Sequence, residues 1–513
     1  MRKKFFNVAG PCKKDWHYFV ERPIDAKGLM SLIEDGKYFI HHAPRQTGKS
    51  SLLIDLCKKI NKKGDYTCLY INIEAAQTTR DNVVECNNVI VQEILNNQLN
   101  YLSENEQFGQ NKEFKSDNYS VQKFLSDWSR HNKKPIVLII DEIDSLIGDG
   151  LLSILRQLRA GYDNRPNAFP HSVLLNGVRD LRDYRIYSKA QDKWLTGGSC
   201  FNIKSDSIRL DNFNLEHVKD LFNQHSKEHN QIFEIGVVEE IFRLTDGQPW
   251  LCNALGDVLC FKLFKDKGTL TLDDLKIAKE KLILRRDTHI DQLYHKLETE
   301  ERLRNIVMPM LLGDQIFNAK EEDLQYCKDL GILKNSKQIE IANPIYKEVL
   351  PRELSNPVQQ GMAIVESDYY KSGNLDLKLM MNDFVDFYRE HVTGQLSFFY
   401  NEITPHIMIM AYLQRVVNGG GEIHREYALG RRRLDVGVFY KRQKFAIEIK
   451  VKRTERSRKE SLQQTADYMA LLGITEGGWL IIFDQDLSKP WQDRYHQEND
   501  VVYGGKKITV IEM

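Results

Sequence analysis

Two stretches of this 513-residue sequence carry residue types whose spacing could do chemistry. The first is Ala43-Pro44-Arg45-Gln46-Thr47-Gly48-Lys49-Ser50. A strand feeding such a turn opens a helix with its backbone N–H groups free, so amides and helix dipole together face an anion. Lys49 would reach the terminal phosphates of ATP and Ser50 would hold magnesium, with Arg45, Gln46, Thr47, Gly48 and Ser51 completing the loop. Farther along, the apolar run Ile136 to Ile140 ends in Asp141-Glu142. An acid at a strand tip coordinates magnesium through water, and the acid after it polarises the attacking water. Glu142 is therefore the expected catalytic base and Asp141 a metal ligand.

The second stretch is GRRRLDVGVFYKRQKFAIEIKV, with Asp435 in one strand-like run and Glu448-Ile449-Lys450 in the next. Alternate residues of a strand share a face, so Glu448 and Lys450 point the same way. A charged pair in so apolar a strand is costly unless it is exposed or functional. Asp435 and Glu448 together make a hard oxygen site for magnesium or manganese, able to activate water against a phosphodiester. Lys450 would lower the pKa of that water or neutralise the crowded phosphate. Between Gly421 and Glu460 there are thirteen Lys and Arg against six Asp and Glu, a local excess of seven positive charges. Arg431, Arg432, Arg433, Lys452 and Arg453, with Arg456 and Arg458, would supply phosphate contacts.

These residues need two α/β frames. From about 36 to 210, strand-like runs (YFI, CLYINIEA, PIVLIIDEID, HSVLLNGV) alternate with helical stretches, which predicts a parallel sheet with crossover helices. The expected boundaries are a nucleotide-binding core over 1–212, a helical lid over 213–295, a winged-helix-like unit over 296–355, a helical connector over 356–400 and a separate α/β unit over 401–513. In that last unit the strand WLIIFD is expected to complete a small sheet. His225 and His229 stand four apart, a spacing able to hold a metal, but their polar surroundings predict a solvated helix face.

The loop and the DEID strand end resemble the AAA-like branch of P-loop ATPases, which includes archaeal-type ATPases, origin-binding proteins and STAND-type regulators. In that resemblance Tyr18 to Pro23, with Arg22, lies against the adenine, Asn176 senses the γ-phosphate, and the Asp246-Gly247-Gln248-Pro249 segment opens the lid helices. It singles out no arginine finger among Arg156, Arg159, Arg179 and Arg182. The Asp435…Glu448-x-Lys450 pattern resembles the PD-(D/E)XK nucleases, although a Leu precedes Asp435 where the name has Pro. Glu402 on a preceding helix, and Gln464 with Tyr468 on a following one, are similar to acids and glutamines of that superfamily. The whole chain resembles bacterial and archaeal ATPases that fuse an AAA-like module to such a nuclease.

Composition narrows the classes further. Lys and Arg balance Asp and Glu at 72 each, no run is long enough to span a bilayer, and the basic N-terminus lacks a signal-peptide core. The eight cysteines are scattered singly, without zinc or redox spacing. A cytoplasmic protein is expected, with no membrane partner, nucleic acid (DNA first) as its partner, and a homo-oligomer left open. The leading expectation is a nucleotide-controlled, metal-dependent nuclease, with genome defence as one setting. The alternatives are an ATPase regulatory switch, or a DNA-loaded motor, whose nuclease-like domain only binds.

Overall fold

The computed structural model describes the chain except residues 1–2, 23–27, 111–116, 181–183, 190–191, 285–287, 313–318, 351–368, 372–373, 393–408, 410–412, 414–421, 430–431, 452–454, 476, 485 and 487–488. Its residues gather into two compact units, 1–286 with 320–344, and 287–319 with 345–513. The winged-helix-like stretch thus contributes to both.

The first unit is built on five parallel strands: β1 (Tyr38–His42), β2 (Thr67–Asn72), β3 (Ile136–Asp141), β4 (Ser172–Gly177) and β5 (Lys204–Arg209), in the order β2-β3-β4-β1-β5. Strands β1, β3 and β4 are buried at every position, which is why they read as continuous apolar runs: both faces of the sheet are covered. On one face lies α1 (Lys49–Lys63), whose Leu52, Leu53, Leu56, Cys57 and Ile60 meet Phe39, Cys68, Val137 and Leu174. On the other lie α2 (Val83–Tyr101), α3 (Ser120–His131) and α4 (Gly148–Gly161), packed on Ile40, Leu69, Leu138 and Val173.

Three helices follow, α5 (Leu215–His229), α6 (Val237–Thr245) and α7 (Pro249–Asp257). Asn214 caps α5 by accepting from the His217 N–H at 2.9 Å. The solvated face expected for the two histidines is corrected here. His225 is 1% exposed, 3.1 Å from the Tyr18 hydroxyl and 2.7 Å from Gln231 Oε1, because the N-terminal segment with Phe6 packs over that side of α5. The same unit includes α8 (Glu321–Asp329) and an antiparallel bridge between Leu333 and Ile341.

The second unit is organised on a mixed six-stranded sheet. Its strands are β6 (Glu422–Leu429), β7 (Arg432–Tyr440), β8 (Gln443–Val451), β9 (Gly478–Phe483), β10 (His496–Tyr503) and β11 (Lys506–Glu512), in the order β6-β7-β8-β9-β11-β10. The expectation that WLIIFD completes the sheet is corrected. The β10–β11 hairpin adds two strands, β11 pairing with β9 in parallel. Helix α9 (Leu377–Val392), read from the sequence as part of a connector, lays Met380, Met381, Phe384 and Tyr388 on the sheet face of Ile447, Ile449 and Ile481. The opposite face is covered by α10 (Glu455–Leu472). Among the described residues no helix is long and apolar enough to cross a membrane.

Candidate functional site

In the first unit β1 runs into a tight turn through Gln46 (φ 59°) and Gly48 (φ 85°) before α1 begins at Lys49. Gly48 takes the left-handed conformation without the strain a Cβ would bring. The turn is tied from three sides. The Thr47 hydroxyl donates to the Pro44 carbonyl at 2.8 Å. Arg22, its guanidinium 4.6 Å over the Phe213 ring, donates to the carbonyls of Thr47 at 2.9 Å and Asp211 at 3.0 Å. Gln248, whose side chain caps α7 by accepting from the Leu251 N–H at 2.6 Å, reaches the Gln46 carbonyl at 3.4 Å. Pro249 is the buried first residue of that helix. Arg22 and the Pro249 segment, far from the loop in sequence, thus meet at it. Ser51 has another commitment: its Oγ accepts from the Cys12 N–H at 2.8 Å. Arg45 is exposed.

Lys49 is 5% exposed and its ammonium donates to the carbonyls of Ala43 at 2.8 Å and Pro44 at 3.0 Å. Burial pulls its pKa down, opposed by the charges of Glu142, Asp144 and Asp141. Asp141, fully buried at the tip of β3, accepts on Oδ2 from the Tyr70 hydroxyl at 2.6 Å. Its Oδ1 accepts from the Glu142 N–H at 2.9 Å and from Asn176 Nδ2. Ser50 is the half-buried second residue of α1. Glu142 sits in the left-handed region (φ 59°), an uncommon place for a residue with a Cβ, as strained active-site residues often do. Burial raises its pKa to about 7, with Asp144 and Asp141 adding to the rise and Lys49 and Arg45 opposing it. A helix N-terminus, a buried ammonium and a buried carboxylate placed together form a donor set that fits a nucleoside triphosphate with magnesium.

Sequence reasoning missed Tyr70 and His41, which donates toward Asn176 Oδ1 at 2.6 Å. Their signal was a polar side chain inside an otherwise apolar buried strand. Among the arginines, Arg156 and Arg159 lie exposed on α4. Arg179 points elsewhere, 3.6 Å from the buried Asp329 of α8 and 4.5 Å over the Tyr326 ring. Arg209 binds the same Asp329 at 3.1 Å. Pro23 and Arg182 lie outside the described residues.

In the second unit Glu448 is fully buried, and the Lys450 ammonium lies 2.6 Å from its Oε1. Of the pair, the carboxylate is the buried member and the Lys450 side chain is 35% exposed. Strand parity places Glu448 with Ala446 on the face covered by α10, whose Leu462, Ala466, Tyr468 and Met469 pack against Ala446, Leu480 and Ile482. On α10 Gln464 Nε2 donates to the Tyr468 hydroxyl at 2.9 Å. Strands β7 and β8 pair antiparallel from Tyr440↔Gln443 to Val436↔Ile447, and the next step of that register is Asp435 opposite Glu448. Among the described residues no group of three or more His, Cys, Asp and Glu is gathered to hold a metal. Glu448 is one buried oxygen donor, and an acid at the facing register position would complete the pair a divalent cation requires.

The basic window is only partly described. Arg458 is corrected as a phosphate contact: it binds Glu498 at 2.6 Å and Glu512 at 2.9 Å, on the two terminal strands. Glu402, Arg431, Lys452 and Arg453 lie outside the described residues, as do the side chains of Arg432, Arg433, Asp435 and Arg456.

The sequence profile of a family described as "AAA-like domain" matches residues 7–350. No curated protein matches the chain in sequence. Among solved structures, a Walker-type ATPase of Pyrococcus abyssi is 16% identical over 67% of this chain and 99% of its own, with a TM-score of 0.49. The ORC2 protein of Aeropyrum pernix is 12% identical over 64% and 91%, with a TM-score of 0.39. The ORC1 protein of the same organism, solved in complex with DNA, is 12% identical over 66% and 94%, with a TM-score of 0.34. With two thirds of its length matched by that one profile, and with the phosphate loop and the acidic strand tip brought together as described, the chain belongs to the AAA-like domain family of P-loop ATPases.

Proposed function

We propose that this chain hydrolyses ATP at the loop of residues 43–51 and cleaves nucleic acid, DNA first, at a metal-dependent PD-(D/E)XK-type site in its second unit, with nucleotide state controlling the cut. The observation that carries the nuclease reading is Glu448, buried in β8 under α10 and paired with the half-buried Lys450, with Asp435 at the facing register position. Burying a carboxylate in a sheet costs stability compared with an apolar residue, so its presence argues for chemistry.

At the first site the loop amides and Lys49 bind and orient the phosphates, and Asn176 holds Asp141 in place. Glu142, ionised, accepts a proton from the attacking water as its oxygen bonds to the γ-phosphorus and the bond to the leaving diphosphate oxygen breaks. At the second site Glu448 and Asp435 would hold magnesium or manganese, which supplies an activated water and charge neutralisation when bound. Lys450 would donate to a phosphoryl oxygen, and Gln464 belongs to α10, the helix that covers this face of the sheet.

The test is cleavage of linear and supercoiled DNA with magnesium or manganese, with and without ATP, for wild type, Lys450→Ala and Lys49→Ala. Cutting abolished in Lys450→Ala and altered in Lys49→Ala is expected. Intact DNA under every condition, with ATP still hydrolysed, would replace the nuclease by a binding switch.

A further inference from the structure

We propose that His41 is a positioning residue for ATP hydrolysis: its ring fixes the amide of Asn176 and, through it, the carboxylate of Asp141. The inference rests on the reading of this site as an ATPase.

The three residues form a row across the sheet. His41 on β1 is the register partner of Asn176 on β4, and β4 pairs with β3 up to Ile140↔Leu175, one residue before Asp141. The side chains follow the row, His41 Nδ1 meeting Asn176 Oδ1 at 2.6 Å and Asn176 Nδ2 meeting Asp141 Oδ1. All three are at most 1% exposed.

The donor directions in this row are forced. A carboxylate only accepts, so Asn176 must turn its NH2 to Asp141 and its carbonyl oxygen to His41. A bare ring nitrogen facing that oxygen would set two acceptors together, so Nδ1 carries the proton. Among the described residues the other ring nitrogen, Nε2, has no hydrogen-bond partner. A buried imidazole that leaves one nitrogen unsatisfied loses stability to keep its place. Its one hydrogen bond is the one that holds the Asn176 amide against rotation. Without it the amide can turn its oxygen toward Asp141, and the acid that organises the phosphate end of the site loses a donor. Nucleotide binding, carried by the loop amides and Lys49, is left standing.

The test compares His41→Leu with His41→Asn, since the side-chain NH2 of asparagine sits where Nδ1–H does. Steady-state ATP hydrolysis gives kcat and KM, and a fluorescent nucleotide gives Kd. His41→Leu is expected to lower kcat roughly 10- to 100-fold, as loss of a group supporting a site residue does, with Kd within about threefold. His41→Asn is expected to recover most of the rate. Should His41→Leu not fold, His41→Gln takes its place, its amide one carbon farther out and misplaced for Asn176. A loss variant with wild-type kcat, or asparagine as slow as the loss variant, overturns the inference while wild type still turns over. Wild type no faster than Lys49→Ala overturns the ATPase reading, and this inference with it.

Discussion

The two candidate sites handle a buried acid in different ways. Asp141 ends its strand, and donors from β2, β4 and the following residue converge on it, so its charge is balanced by hydrogen bonds spread over three segments. Glu448 lies inside its strand and is matched by a cation two residues along the same strand. The first arrangement keeps an acid oriented at the end of a central strand, close enough to Lys49 for their charges to interact. The second holds a buried acid beside a half-exposed cation, which suits a group that must act together with its neighbour.

The largest expected effects separate the sites. Lys49→Ala should lower ATP turnover by about 100-fold or more, and Lys450→Ala should do the same to DNA cutting, each leaving the other unit's melting transition in place. Parallel phosphate-release and cleavage assays check this, and loss of ATP turnover in Lys450→Ala would end the comparison.

Stability sharpens it next. Lys450→Met leaves Glu448 buried without that cation and should destabilise the second unit by about 3–5 kcal/mol. Adding Glu448→Leu should return a large part of that, as denaturant midpoints of the single and double variants would reveal. A double variant less stable than Lys450→Met would mean that the carboxylate has further essential partners.

Gly247→Ala should cost about 3 kcal/mol. Gly247 has φ 66°, and a Cβ there would lie 1.8 Å from the Phe213 carbonyl oxygen, in the turn that precedes α7. Thermal melting of the first unit measures it.

The smallest effect is pH-dependent. Burial raises Glu142 to about 7, so its contribution to stability is complete below its ordinary value of 4.5 and is lost as pH rises through 7. Glu142→Gln should therefore raise stability by about 2 kcal/mol at pH 8 and change little at pH 4.5. The same ionisation makes ATP turnover of the wild type rise with pH through about 7. A flat pH–rate profile would show that nucleotide binding resets this group or that it is not the base.

Local chemistry was legible where one short segment holds the whole argument. The loop, the four core strands and the acids of DEID follow from residue type and period, since a turn opening a helix and an apolar parallel strand are local facts. His41 and Tyr70 were not legible as site residues, and Gln248 was legible only as part of the segment ending in Pro249. Each sits in a segment with its own structural reading and gains a role only when parallel pairing or helix packing brings it to the loop. Arg458 failed for the opposite reason: a basic window predicts solvated cations, and the β10–β11 hairpin that binds this one lies forty residues away. His225 was misread likewise, because the segment that buries it comes from the first twenty residues.

What the sequence by itself determined is the set of chemical groups: a phosphate loop, an acid pair at a strand tip, and Glu448 with Lys450 on one face of a strand. Those follow from the 3.6 and 2.0 residue periods, which are local. Only the tertiary structure decided which groups meet. The register of β1 against β4 sets His41 beside Asn176, and α10 turns Glu448 from an outward charge into a buried one. Such choices depend on long-range pairing and desolvation, and neither is written in the spacing of residues along the chain.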